Sequence, residues 1–301
     1  MNGNDFSIPL IHNSVSIMTP FLLAGIGGLM TELTGMLNIA LEGLILIGAF
    51  FSVVFASVTG SLFYGIVLGI LTTMFISWVF GAISIYLKAN VFITGLATNL
   101  LAGGLTTVLS FYFFGTKGVL IFRDLPSLPS FDVPALHSVP LAGDILFGHS
   151  ILVYFGWLIV AAAWILIYKT PFGFRLRGTG SNPSAMTALG LKPQYYQMAA
   201  ILISGFCCAL AGAVLTLNLG AYVPNISSGR GWIALVVIYL GGRTPFGILG
   251  ASFVFALAES FSNYAQGFMD IPADFILAFP YLITVTSMVI VSIMRSRKKE
   301  I

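Results

Sequence analysis

Six polar residues lie within or at the ends of long apolar runs, where ionisable and amide side chains are energetically costly. These residues are Asn38, Glu42, Thr98, Asn99, Asn218 and Glu259. Residues four positions apart share one face of a helix, so we expect Asn38 and Glu42 to project together. One interpretation is a polar stripe that lines a substrate path through a membrane. The alternative is hydrogen bonding between helices, worth roughly 0.6–2 kcal/mol per contact, with the two glutamates holding a broken helix together.

No pattern in the sequence indicates catalysis or metal binding. The three histidines, His12, His137 and His149, are expected in loops far apart, and no zinc-type Cys or His spacing is present. No serine lies in a Gly-x-Ser-x-Gly turn, and no lysine follows a glycine, which excludes a Gly-x-x-x-x-Gly-Lys phosphate loop. We therefore expect no catalytic residue, no metal and no cofactor. If the chain belongs to a pump, a separate polypeptide must hydrolyse the ATP.

The composition indicates a membrane protein. Of the 301 residues, 58% are hydrophobic and only 8% are charged, whereas soluble domains carry roughly 25% charged residues. The mean hydropathy is +1.00. Apolar runs lack the alternation of barrel strands, and their length predicts an all-α polytopic membrane protein with about 8–10 transmembrane helices, some of them broken or re-entrant. The net charge of +3 gives little reason to expect a nucleic-acid partner.

Basic residues set the expected orientation, because Lys and Arg next to a span tend to stay in the cytoplasm. Lys88, the segment 169–193 and the tail 295–301 are therefore expected to be cytoplasmic, and the loop 115–149 extracytoplasmic. The chain would form a single transmembrane domain, residues 1–301, in the cell membrane. The expected spans are 15–33, 35–58, 61–87, 91–114, 150–168, 196–217, 231–264 and 275–294.

The segment 169–193, called the polar segment below, carries four of the thirteen basic residues and no acidic residue. Asn182 is suited to cap a helix, Pro183 to begin it and Gly190 to end it. This pattern predicts one short helix over residues 182–189. A short capped helix on the cytoplasmic face indicates a docking element for a soluble partner.

The apolar run 231–264 is expected to be a hairpin, because an even number of crossings must separate the polar segment from the basic tail. Gly241, Gly242 and Arg243 form the expected tip. An arm of about 11 residues would extend only ~17 Å along a helix axis, so it is expected to be a half-helix or a re-entrant segment. Non-helical backbone at that depth requires surrounding protein or a water-filled cavity.

Four stretches of the chain resemble those of ABC-importer permeases of the branched-chain amino acid, simple sugar and nucleoside family. They are Gly35–Gly43, Gly180–Ala185 with Gly190, Ser204–Ala213 and Gly229–Trp232. The resemblance extends over about residues 18–290, and it is greatest to the nucleoside and simple-sugar subgroup. Ala40 and Met186 depart from the family pattern, since relatives often have Gly and Ala there.

This resemblance implies a membrane complex of two permease subunits with cytoplasmic ABC ATPase subunits and an extracytoplasmic solute-binding protein or lipoprotein. The second permease is expected to be a non-identical chain. In such permeases a cytoplasmic loop docks the ATPase, which agrees with the polar segment. The implied coupling residues are Arg175, Arg177, Gly180, Asn182, Ala185 and Gly190.

The expected function is a permease subunit of an ATP-binding-cassette importer for a neutral polar solute, a nucleoside or a simple sugar. Few fixed cations lie in the spans, which disfavours phosphorylated or strongly anionic solutes. Riboflavin or a branched-chain amino acid remains an alternative solute. The alternative class is a secondary transporter driven by an ion gradient, with Glu42 and Glu259 as ion carriers, but such a protein has no need of a docking element.

Overall fold

The computed structural model describes residues 4–126, 128–130 and 145–266, with four isolated positions at 282, 285, 286 and 289. Within this part of the chain, seven helices are long and apolar enough to cross a membrane, and one shorter apolar helix accompanies them. The predicted tail 295–301 and the middle of the predicted loop 115–149 lie outside the described residues. The predicted span 275–294 also lies outside them, apart from the four isolated positions.

Residues 4–114 form four long helices. Helix α1 is Asn4–Leu33, α2 is Leu41–Thr59, α3 is Leu62–Gly81 with a π-helical turn at Ala82–Tyr86, and α4 is Val91–Phe114. The side chain of Asn90 caps α4 by accepting hydrogen bonds from the amides of Phe92 and Ile93. Gly115 ends the same helix with a φ of 70°, a conformation that glycine adopts without steric cost.

Residues 151–265 form six helices. They are α5 (Ile151–Lys169), α6 (Pro171–Ser181), α7 (Pro183–Ala188), α8 (Pro193–Leu217), α9 (Arg230–Leu240) and α10 (Pro245–Ala265). Proline occupies the first position of α6, α7, α8 and α10, where the missing amide hydrogen removes no helical hydrogen bond. Thr170, Asn182 and Thr244 cap three of these helices through their side-chain oxygens.

A two-stranded antiparallel sheet joins two loops. Strand β1 (Leu120–Ile121) pairs with β2 (Ala221–Tyr222), and Leu120 lies opposite Tyr222. Tyr222 is buried with its ring edge-on to Phe50 of α2, at a centroid distance of 5.1 Å. The loops that follow α4 and α8 therefore lie at the same end of the helix bundle.

Helices α1, α2 and α8 form the core, whereas α3 and α4 are largely exposed at the periphery. Small residues bring α2 and α8 into backbone contact. A Cβ atom added to Gly48 would lie 2.5 Å from the Cα atom of Ala209, and one added to Gly212 would lie 2.3 Å from the amide nitrogen of Ala49. Close approach at small residues is typical of helix packing in membranes, where no hydrophobic effect drives helices together.

The predicted hairpin in 231–264 corresponds to two helices, α9 and α10, separated by Gly241–Thr244. The break therefore lies where it was expected, whereas other expectations about local structure are wrong. Helix α2 begins at Leu41, so Asn38 lies in non-helical backbone and does not share a helix face with Glu42. His12 lies inside α1 and its ring stacks on that of His149, so these two histidines are not far apart. The polar segment contains the additional helix α6.

Candidate functional site

Helix α9 has 11 residues, so its axis is ~17 Å long, roughly half of a ~30 Å hydrocarbon core. Ile233, Ala234 and Val237 are buried, and the helix packs against α1, α2 and α10. Its amino end needs glycine, because a Cβ atom on Gly231 would lie 2.4 Å from the backbone nitrogen of Glu42. Gly229 precedes the helix with a φ of 79°. Glycine at both positions allows this helix end to lie directly against the beginning of α2.

The carboxylate of Glu42 binds the amino end of α9. The amide of Gly229 donates to Oε1 at 2.8 Å, and the amide of Gly231 donates to Oε2 at 2.7 Å. The first amides of a helix have no partner within the helix, and the helix dipole places partial positive charge there. A carboxylate from another helix therefore satisfies both the hydrogen bonds and the charge at this end of α9.

An ion pair also lies at this end of α9. The guanidinium group of Arg230, the first residue of α9, contacts the carboxylate of Glu259 in α10. It also donates to the backbone oxygen of Ile226 at 3.0 Å. Glu42, Arg230 and Glu259 thus connect α2, α9 and α10. The sequence did not identify Arg230 as a site residue, although it lies in the Gly229–Trp232 stretch.

Two asparagines support the non-helical backbone before α2. The side chain of Asn99 donates to the oxygen of Ile39 at 2.9 Å and accepts from the amide of Gly43 at 2.8 Å. The side chain of Asn38 accepts from the amide of Ala40 at 3.0 Å and donates to Ser204 of α8 at 2.9 Å. These bonds replace those that water would make to non-helical backbone between membrane-spanning helices.

The structure brings together four of the six predicted path residues. Asn38, Glu42 and Asn99 surround the beginning of α2, and Glu259 joins them through Arg230. Thr98 is buried and donates to the backbone oxygen of Thr94 in its own helix. Asn218 is exposed at the end of α8, away from this group. The assignment of the six residues to a solute path remains a prediction.

In the polar segment, α7 has one buried side and one exposed side. Met186 is buried, and its sulfur would lie 3.0 Å from a Cβ atom on Gly178 of α6. Asn182 caps α7 by accepting from the amide of Ala185 at 3.0 Å, and Gly190 follows with a φ of 75°. Ala185 and Leu189 are exposed, and the exposed fraction of Leu189 is 75%. The helix therefore presents small and apolar side chains outward.

The predicted coupling arginines attach α6 to its neighbours. The guanidinium group of Arg177 lies over the rings of Tyr168 and Phe174, at 5.0 Å and 4.9 Å from their centroids. Arg175 contacts the hydroxyl of Tyr196 at 3.4 Å. Cation–π contacts of this kind hold a charged side chain in place while part of it stays exposed.

The polar segment and the tip between α9 and α10 both contact the end of α1. A Cβ atom on Gly180 would lie 2.3 Å from the backbone oxygen of Leu33. At the tip, where Gly242 and Arg243 have φ angles of 63° and 57°, the guanidinium group of Arg243 lies 2.7 Å from the carboxylate of Glu32. The tip therefore lies at the same end of the bundle as the polar segment.

Residues 10–292 match the family described as branched-chain amino acid transport system / permease component. The nucleoside ABC transporter permease protein NupC of Lactococcus lactis is 31% identical over 287 residues, which cover 92% of this chain and 90% of the relative. The guanosine ABC transporter permease protein NupQ of Bacillus subtilis is 32% identical, with 89% and 87% covered.

The fold is similar to that of a solved metal-chelate type ABC transporter in an inward-facing conformation, with a TM-score of 0.56 and 17% identity. That comparison covers 96% of this chain and 86% of the other. Together with the seven apolar helices of the described part, these findings show a multi-pass protein of the cell membrane. The chain belongs to the family of ABC transporter permeases described as the permease component of branched-chain amino acid transport systems.

Proposed function

We propose that this permease forms the membrane path of an importer for a neutral polar solute, a nucleoside in the first place or a simple sugar. The relatives named above as nucleoside and guanosine permeases support the solute class. ATP is hydrolysed by a separate ABC ATPase subunit, because the chain has no phosphate-binding loop.

The observation that carries the proposal is the set of charged side chains at the amino end of α9. In many transporters the amino end of a half-helix points at an anionic group of the substrate. Here Glu42 occupies that end, and Glu259 pairs with the neighbouring Arg230. Two carboxylates and one guanidinium group leave a net negative charge beside a helix end that is already satisfied. An anionic solute would be repelled there, whereas a solute with hydroxyl and amide groups meets no such penalty.

The same contacts argue against a carrier driven by an ion gradient. Such a carrier needs a carboxylate that is free to exchange a proton or a sodium ion during transport. Both carboxylate oxygens of Glu42 accept hydrogen bonds from backbone amides, and Glu259 forms an ion pair with Arg230. These two glutamates therefore act as structural groups that fix α9 to α2 and α10.

Features of the surface support the proposed partners. The ATPase docks on the polar segment, where α7 exposes Ala185 and Leu189 beside a cluster of basic residues. A solute-binding protein delivers the solute at the opposite end, where β1 and β2 lie. A second, non-identical permease and membrane lipid cover the outward faces of α3 and α4, which expose large apolar side chains such as Phe75 and Leu100.

Transport by the assembled complex in proteoliposomes tests the proposal. The vesicles contain this permease, its partner permease and the ATPase, and receive the solute-binding protein with labelled guanosine or labelled ribose. We expect uptake that requires ATP and persists when ion gradients are dissipated. Uptake without the ATPase, or uptake abolished by an ionophore at constant ATP, would contradict it. Failure to take up either solute while a phosphorylated solute enters would contradict the solute class.

A further inference from the structure

The end of α1 lies between two separate parts of the chain. On one side is the polar segment, through Gly180 at the end of α6. On the other side is the tip between α9 and α10, through Arg243. These two contacts place the last turn of α1 where it can transmit movement from one part to the other.

At Gly180, no space is left between α6 and the end of α1. A Cβ atom on Gly180 would lie 2.3 Å from the backbone oxygen of Leu33 and 2.9 Å from the amide nitrogen of Gly35. Both neighbours are backbone atoms, which cannot rotate away as a side chain can. A displacement of α6 toward α1 must therefore displace the end of α1 as well.

The contact with the tip is an ion pair. The carboxylate of Glu32, which is largely buried, lies 2.7 Å from the guanidinium group of Arg243, which is half-exposed. The same guanidinium group lies over the ring of Tyr239 in α9, 5.2 Å from its centroid. Arg243 thus joins α1 to the carboxyl end of α9.

The backbone of Arg243 indicates that its side chain is needed. Its φ of 57° is left-handed, a conformation that glycine adopts easily and that costs a longer side chain free energy. Gly242, directly before it, has a φ of 63°. A third glycine would suit this turn better than arginine, so the turn alone does not explain the arginine. A half-exposed ion pair adds little to the free energy of unfolding, so a gain in stability does not explain the arginine either.

The tip is bound to α9 by a hydrogen bond and lies in close backbone contact with α10. The amide of Arg243 donates to the oxygen of Ile238 at 3.0 Å, and a Cβ atom on Gly241 would lie 2.5 Å from the backbone of Gly247. The other end of α9 is bound by Glu42. A displacement at Arg243 is therefore carried along the helix to the polar group formed by Glu42, Arg230 and Glu259.

We propose that the Glu32–Arg243 ion pair is the contact through which the polar segment controls the position of α9. Glu32 and Arg243 are positioning residues for transport, since neither belongs to the predicted solute path. The inference rests on the proposed function, because it assumes that an ATPase moves the polar segment. It adds a specific connection from the docking site to the half-helix.

Variants of the ion pair test this inference in the same proteoliposomes. R243G removes the side chain and gives the turn the residue that its φ favours, so the amount of subunit in the membrane should not decrease. E32Q keeps the shape of the other partner and removes its charge, without touching the turn. Both variants should bind the ATPase and retain its hydrolysis, while solute uptake per ATP hydrolysed falls about tenfold, within the usual range of coupling between sites.

Lys88 provides a matched control. It is exposed, it is basic and its φ of 54° is close to that of Arg243, but it precedes α4 and lies outside the contact with α1. K88G relieves the same kind of backbone strain and removes the same charge. Uptake per ATP should remain at the level of the unmodified protein.

The outcomes separate this inference from the proposed function. If the unmodified complex shows no ATP-dependent uptake, the proposed function fails. If it transports and R243G and E32Q transport equally well, only the role of the ion pair is wrong. A parallel loss of ATPase binding and uptake in both variants would also overturn it, because the pair would then belong to the docking surface.

Discussion

Glu42 and Gly231 lie in contact although they are 189 residues apart in the chain. The amide of Gly231 donates to Oε2 of Glu42 at 2.7 Å, and a Cβ atom on Gly231 would lie 2.4 Å from the backbone nitrogen of Glu42. The helix that begins at this point is short and is held at its amino end by a carboxylate from another helix. The position of α9 therefore depends on the close approach of Gly231 to the backbone of Glu42 and on the negative charge of the Glu42 carboxylate.

Gly231→Ala should displace α9 from α2. The nearest atoms to the added methyl group are backbone atoms of Glu42, so the methyl group fits only if a helix moves. We expect a loss of about 1–3 kcal/mol in the free energy of unfolding, as in other overpacked interiors, together with reduced uptake. Thermal unfolding of the purified permease in detergent measures the first effect.

The control for this substitution is Gly250→Ala in α10. Within the described part of the chain, a Cβ atom at Gly250 meets no atom beyond the nearby backbone of its own helix within 4 Å. Since alanine is a better helix former than glycine, G250A should raise the unfolding temperature, by an amount that corresponds to roughly 0.5–1 kcal/mol. Equal destabilisation by the two variants would contradict the close contact at Gly231.

Glu42→Ala should destabilise the permease because two backbone amides at the start of α9 lose their acceptor. Leaving a buried donor without a partner costs about 1–3 kcal/mol; this applies in full to Gly231, which is buried, and less to Gly229, which is partly buried. Glu42→Gln retains one acceptor oxygen, so its unfolding temperature should lie between those of E42A and the unmodified protein. An E42A protein as stable as E42Q would show that the carboxylate does not cap this helix.

Features that depend on neighbouring residues could be predicted from the sequence. Gly241, Gly242 and Pro245 indicate the break between α9 and α10, and Asn182 with Gly190 indicates α7. These residues have strong local preferences for turns, caps and helix ends. The family was also predictable from short stretches of residues, and the comparisons confirm it.

Features that depend on distant partners could not be predicted. Nothing near Glu42 in the sequence indicates that it caps a helix beginning at residue 230. Asn38 was placed in a helix because its neighbours are apolar, but its side chain binds the amide of Ala40 and competes with helical hydrogen bonding. Helix α6 was missed because Gly173, Gly178 and Gly180 lower its helix propensity.

Leu189→Glu should prevent binding of the ATPase without unfolding the permease. Leu189 is 75% exposed at the end of α7, and a charge there would have to be desolvated when a partner covers it. We expect the variant to reach the membrane at normal levels and to fail to co-purify with the ATPase. Ala185→Arg, on the same helix, should have a similar effect.

The matched control is Leu219→Glu. Leu219 is 63% exposed just beyond the opposite end of α8. The same change at this end of the bundle should leave ATPase binding intact. If L219E loses the ATPase as completely as L189E, the loss reflects general damage to the subunit and not the docking surface.

Acidic pH should destabilise the packing of α1 against the beginning of α5, because of His149. Burial lowers the pKa of His149 from its ordinary value of 6.5; a hydrogen bond to the backbone oxygen of Ile145 opposes this change, and the nearby His12 adds to it. The rings of His12 and His149 are stacked with centroids 4.1 Å apart, and Ser16 lies 2.9 Å from Nδ1 of His149. The neutral form of His149 satisfies these contacts, since one nitrogen donates to Ile145 and the other accepts from Ser16.

Acid lowers the free energy of unfolding because the folded and unfolded states bind the proton of His149 at different pH. As the pH falls below 6.5, His149 in the unfolded chain binds a proton, whereas in the folded protein it remains neutral until a lower pH. The unfolded state is therefore favoured by acid, and stability decreases between 6.5 and the lowered pKa. Unfolding temperatures in detergent should be lower at pH ~5.5 than at pH ~7.5, with a smaller difference for His149→Gln, which cannot be protonated. An unchanged pH dependence in H149Q would show that other groups cause the effect.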